Sequence, residues 1–174
     1  KRNAIHYENM SVALAESVAN QGQGFINSMA FGNGGTSVDP TGIITYLTPN
    51  STGTNASLYN QTFTKIVDDR SVSNLDPQRN KIETRHVNGT NYTDVVVTCL
   101  LDYGEPNGQD ATDTASASDS LYVFDELGLV SYASSGTGKL LTHVVFHPVQ
   151  KSLNRLIQID YTVRVQSLTG FNEG

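Results

Sequence analysis

The chain has 174 residues and a mass of 18.8 kDa, the size of one ordinary domain and too small for two large ones. Hydrophobic residues make up only 37% and charged residues 16%; 18 Thr, 16 Ser, 15 Asn and 15 Gly fill the difference, which disfavours a helical bundle or coiled coil and points to a loop-rich β protein. A net charge of -6 with scattered basic residues speaks against nucleic acid as a partner, and a mean hydropathy of -0.30 without a long apolar run speaks against a membrane-spanning helix.

Residues 7–19 are rich in Ala, Leu, Glu and Met and predict a helix. Tyr7, Met10, Leu14 and Val18 form a thin apolar stripe on one face of it. That stripe either lies on its own core or docks on another chain, so these four residues are the candidate interface. The helix stops at Asn20-Gln21-Gly22-Gln23-Gly24, which reads as a flexible joint. The expected organisation is therefore a helical arm over residues 1–21 and a β-rich domain over 22–174.

Residues 25–31 read as a strand running into the turn cluster Gly32-Asn33-Gly34-Gly35. A second strand is predicted at 43–47. Residues 48–55 carry no aliphatic or aromatic side chain and are expected to form an exposed loop. The spacing of Leu58, Phe63, Ile66 and Val67 fits a helix or a strand over 57–67 equally. Residues 81–87 and 92–101 flank Asn88-Gly89-Thr90-Asn91 and form the best hairpin signal, with Val95 to Val97 covered on both faces. Cys99 in that second strand is expected to be a small core residue.

Between 102 and 119 the composition turns to Gly, Ser, Thr and Asp, which predicts an exposed acidic insertion with a weak Ca²⁺ site as a minor alternative. Strands follow at 121–124, at 140–149 with Pro148 as terminator, and at 156–165. In the last, Ile157, Ile159, Tyr161, Val163 and Val165 alternate with polar residues, giving a half-buried strand with one inner face. The predicted fold is mainly β: an antiparallel β-sandwich or barrel-like domain with an N-terminal α-helix and long polar loops.

Motifs that would carry chemistry are weak. A lone cysteine cannot form an internal disulfide. Six Asn-x-Ser/Thr sequons, at Asn9, Asn50, Asn55, Asn60, Asn88 and Asn91, have no visible signal peptide before them, and a chain this rich in Asn, Ser and Thr generates them by chance. His143 and His147 have a zinc-like spacing, but on a strand they stand about 13 Å apart, so packing or surface roles are expected. Ser135-Gly136-Thr137-Gly138-Lys139 lacks the Gly and the Ser or Thr that complete a phosphate-binding loop, because Ala133 and Leu140 occupy those places. The acidic pairs Asp68-Asp69 and Asp125-Glu126 are adjacent on strands and should point to opposite faces. No catalytic residue, cofactor or metal ligand is expected.

One ordered set of residues goes further. Met29-Ala30-Phe31-Gly32-Asn33-Gly34-Gly35, then Leu58-Tyr59-Asn60-Gln61, then Phe124-Asp125-Glu126-Leu127-Gly128-Leu129-Val130, a Gly-containing turn and a closing strand resemble tailed-bacteriophage virion proteins of the tail-collar and fibre-attachment group. The chain departs from that pattern in the 102–119 insertion, in Gln61 where the group usually has Glu, and in its N-terminal helix. The resemblance implies a non-enzymatic connector in the neck or collar, tail or baseplate, located in the virion. It implies contact with copies of itself and with other virion structural proteins. The alternatives are a capsid decoration protein and a module that binds a host glycan or receptor through the 48–55 and 102–119 loops.

Overall fold

A computed structural model describes residues 1–106 and 121–168. The chain runs β1 (Arg2–Ile5), α1 (Tyr7–Val18), β2 (Ile26–Gly32), β3 (Thr36–Val38), β4 (Ile44–Tyr46), β5 (Gln61–Ile66), β6 (Lys81–His86), β7 (Tyr92–Leu101), β8 (Leu121–Ser131), β9 (Thr142–Ser152) and β10 (Ile157–Gln166). Two antiparallel sheets, β1-β9-β8-β2-β5 and β10-β7-β6, form a sandwich, and β3 and β4 make a separate hairpin. The expected β-sandwich with one N-terminal helix is the fold observed.

Alternation explains how the sheets meet. Met29 and Phe31 of β2, Leu127 and Leu129 of β8, Val97, Cys99 and Leu101 of β7, and Val163 of β10 turn inward into one cluster. Ile157, Ile159 and Tyr161 pack on it as their alternation predicts, whereas Val165 is left 44% exposed. A smaller cluster of Ala30, Leu58 and Leu140 covers the outer face of the larger sheet. Burying a Leu or Phe side chain contributes about 1.5–3 kcal/mol, so the inner cluster is the main source of stability.

Several expectations are corrected. Residues 1–21 are not an arm: β1 pairs with β9, with Arg2 opposite Val145 and Ile5 opposite Thr142, and this makes it an edge of the larger sheet. Nor does the apolar stripe of α1 lie on the core. Asn9 and Ala13 are its buried residues, Met10 packs partly against the core, and Tyr7 and Val18 are 77% and 86% exposed. The cause is His6, fully buried at the N-cap, whose Nδ1 accepts from the Asn9 N–H and whose Nε2 donates to Gly53 O; it sets the rotation of the helix.

The stop after the helix is correctly placed but not a loose joint. Asn20 takes φ +52, and Asn20 and Gln21 donate back to the carbonyls of Ser17 and Glu16, a closed C-terminal cap. Gly24 then fits against the helix, since a Cβ there would lie 2.5 Å from Ala13 O. Of the ambiguous 57–67 segment, Gln61–Ile66 form a strand, β5, and 57–60 lead into it without regular structure. Pro148 does not end β9, which continues to Ser152. It sits where the β8–β9 register slips between Phe124/Val149 and Glu126/Val145, outside the stretch of β9 that pairs with β1, so its missing N–H costs little.

Candidate functional site

That register slip also builds the most organised polar cluster among the described residues. Phe124 and Leu127 both face the core, so the two residues between them, Asp125 and Glu126, are displaced from strict alternation. The expectation that they point to opposite faces is corrected: both carboxylates grip one turn. Asp125 accepts from Gly35 N–H at 2.8 Å, Thr36 N–H at 2.9 Å and the Thr36 hydroxyl at 2.6 Å, while Glu126 Oε1 accepts from Gly34 N–H at 3.2 Å.

Glu126 is fully buried and ties three more groups. Its Oε1 also accepts from Asn60 N–H at 2.8 Å, and its Oε2 accepts from Tyr59 N–H at 3.0 Å and from His143 Nε2 at 2.8 Å. His143, equally buried, accepts the Asn50 N–H at Nδ1, 2.8 Å away. Nδ1 therefore carries no proton and Nε2 does, which fixes a neutral imidazole beside an ionised carboxylate. Burial pushes the Glu126 carboxyl up, but the bonds from His143, Asn60, Tyr59 and Gly34 together outweigh it and hold the group below its ordinary range.

Close approach at this cluster requires glycine. A Cβ on Gly32 would lie 2.3 Å from Asn60 O and 2.5 Å from Glu126 Oε1, and one on Gly34 would lie 2.8 Å from Asn60 N. A carboxylate beside an imidazole has the elements of acid–base chemistry, but here four donors occupy the two oxygens of Glu126 and both ring nitrogens of His143 are engaged. The arrangement holds loops to a sheet: residues 34–36, 50 and 59–60 are fastened to β8 and β9 through three side chains, Asp125, Glu126 and His143. The 48–55 segment, expected to be an exposed loop, is accordingly pinned through Asn50 and Gly53, with Pro49 buried.

The other sequence candidates do not converge with this cluster. Of the proposed interface, Tyr7, Leu14 and Val18 remain on the surface and Met10 turns inward. His147 is exposed and far along β9 from His143. Asp68 accepts from Arg70 N–H within its own turn and Asp69 from Ile82 N–H of β6, so the two acids serve separate local contacts. Cys99 is buried without exposure, and desolvation pushes its thiol up to about 12. Among the described residues no three His, Cys, Asp or Glu side chains group to hold a metal ion. The acidic insertion lies outside the described residues from 107 onward.

Two features had no sequence signal. Lys151 is fully buried, and its ammonium donates to the carbonyls of Asp102 at 3.0 Å, Glu105 at 2.7 Å and Ser152 at 2.8 Å. It caps the segment leading into the insertion, whose Glu105 carboxylate also pairs with Lys65. The second is an apolar cleft of about 260 Å³ between the sheets, with Phe146, Val149, Ile157, Ile159 and Tyr161 along its mouth. No protein-family model, curated protein or solved structure matches the chain.

Proposed function

We propose that this protein is a non-enzymatic subunit of a tailed-bacteriophage particle, a connector of the neck or collar, tail or baseplate that assembles in symmetric copies. One observation carries the reading. The three separate stretches on which the resemblance rests, 29–35, 58–61 and 124–130, are a single physical unit here, because Glu126 accepts from Gly34, Tyr59 and Asn60 together. A pattern scattered over a hundred residues that folds into one bolt behaves as a signature of architecture. The buried carboxylate and imidazole of Glu126 and His143 are spent on that bolt, while Tyr7, Leu14 and Val18 stay outside for contacts with neighbours.

The test is mass spectrometry and immunogold labelling of virions purified from the host lysate, together with light scattering of the purified chain. Peptides of the chain in washed particles and a closed oligomer in solution support the reading. A monomer absent from particles overturns it. A second reading, recognition of a host glycan, is favoured by a crevice lined by Asn27, Gln61, Thr64, Ser131, Tyr132 and Thr137, where Tyr132 stacks on Phe25 at 5.1 Å. Binding on a glycan array by a particle-free monomer would favour it instead.

A further inference from the structure

β10 is the longest edge in the sandwich. It pairs with β7 over ten residues, and no other described strand lies on its far side. It contains no Pro, Gly or bulge, the devices by which proteins blunt such an edge. Ser167 N–H donates to Asn91 O in the register of that ladder, so the odd-numbered residues of β10 turn their backbone groups to β7. Gln158, Asp160, Thr162, Arg164 and Gln166 therefore present theirs to the open edge.

We propose that β10 pairs antiparallel with β10 of a second copy about a two-fold axis at Thr162, joining two three-stranded sheets into one of six strands. The inference deepens the assembly reading and rests on it in that copies of the chain must meet. Charge selects the register. With Thr162 opposite itself, Asp160 of each copy faces Arg164 of the other, twice over. Moving the axis to Tyr161 or Val163 loses both pairs, and moving it to Asp160 sets like charges against each other.

Both partners of that pair are ready for it. Arg164 is held upright by Asp94, at 2.8 and 3.1 Å, and lies 3.9 Å over the Tyr92 ring, whereas Asp160 makes no ion pair among the described residues. The same register matches the apolar residues left uncovered. Val165, on the inner side yet 44% exposed, falls opposite Ile159 at the mouth of the apolar cleft, and Leu168 and Leu156, 87% and 43% exposed, fall opposite each other.

Sedimentation velocity on the full chain tests the contact, with circular dichroism to verify folding of each variant. Wild type should be dimeric or assembled from dimers. Asp160→Arg alone and Arg164→Glu alone each place like charges across the axis and should weaken the dimer about tenfold or more. Mixed in equal amounts, the two variants restore both opposite-charge pairs and should associate again. In an independent measurement, Thr162→Cys should form a disulfide-linked dimer on mild oxidation, since directly paired residues place Cα atoms about 5.5 Å apart and buried Cys99 stays out of reach. Wild-type oligomers that withstand both charge reversals and leave the new cysteine free would overturn the β10 contact and leave the assembly reading standing. A wild-type chain that is monomeric and absent from particles would overturn both.

Discussion

Glu126 and His143, seventeen residues apart on neighbouring strands, form a hydrogen bond of 2.8 Å with neither side chain exposed to solvent. The imidazole is neutral because its other nitrogen accepts from Asn50, so the pair is a charge-assisted hydrogen bond rather than a salt bridge. Its strength lies in having every lone pair used, and its weakness in having no substitute acceptor.

Glu126→Gln tests that dependence. The amide would turn an NH₂ toward two of the four donors that now meet oxygen, leaving buried groups without partners. Stability should fall by about 3 kcal/mol in urea unfolding with the fold retained, given a cost of ~1–3 kcal/mol for each buried group left unpaired. An unchanged midpoint would show that the bolt carries no load.

Acid should act through the same carboxylate. Its folded-state pKa lies below the ordinary 4.5, so the unfolded chain takes up the proton first as pH falls. The stabilisation it gives is complete above that ordinary value and is lost as pH drops through the lowered folded value. Asp94, lowered chiefly by the Arg164 bond, and Asp102, lowered chiefly by the Tyr103 N–H, act in the same direction. Urea midpoints measured down the acid range should decline below about pH 4.5 in wild type and less steeply in Glu126→Gln.

Lys151→Met removes the donor that three part-buried carbonyls share. The loss should be about 1–3 kcal/mol, below the full cost of three buried groups left unpaired. It should also free the 102–106 segment, so chymotrypsin should cut at Tyr103 faster than in wild type under conditions where the rest of the chain resists.

The helix yields a contrast between its two sides. Leu14→Ser and Val18→Ser, on the exposed stripe, should shift stability by no more than about 0.5 kcal/mol, whereas Ala13→Leu should cost about 1–3 kcal/mol by overpacking. Deleting residues 1–21 should unfold the domain in thermal melts, because it strips β9 of β1 and removes buried His6, Asn9 and Ala13. A folded, truncated domain would contradict the place given to β1.

Cys99 supplies a clean probe of folding. With its thiol buried and shifted to about 12, a disulfide reagent should leave it untouched in native buffer and label it fully in denaturant.

What was legible in the sequence was what local periodicity encodes. The strict alternation of β10 and the hairpin of β6 and β7 could be read because each inner face repeats every second residue. Arg2–Ile5 could not, since its strand identity comes from β9, more than 130 residues away, and its own pattern is weak. Asp125 and Glu126 misled for a related reason: the register slip that brings them to one turn arises from three residues of β9 around Pro148 set against one of β8. In α1 the apolar stripe suggested the buried side, yet His6 and Asn9, both polar, are what the structure encloses.

The place of β1 has a temporal consequence. Its partner β9 begins at Thr142, so a ribosome adding about 5–20 residues per second leaves the first strand waiting on the order of ten seconds before the edge it completes exists. Co-translational folding of the larger sheet thus waits on β9, and β1 stays unpaired until that strand has been made.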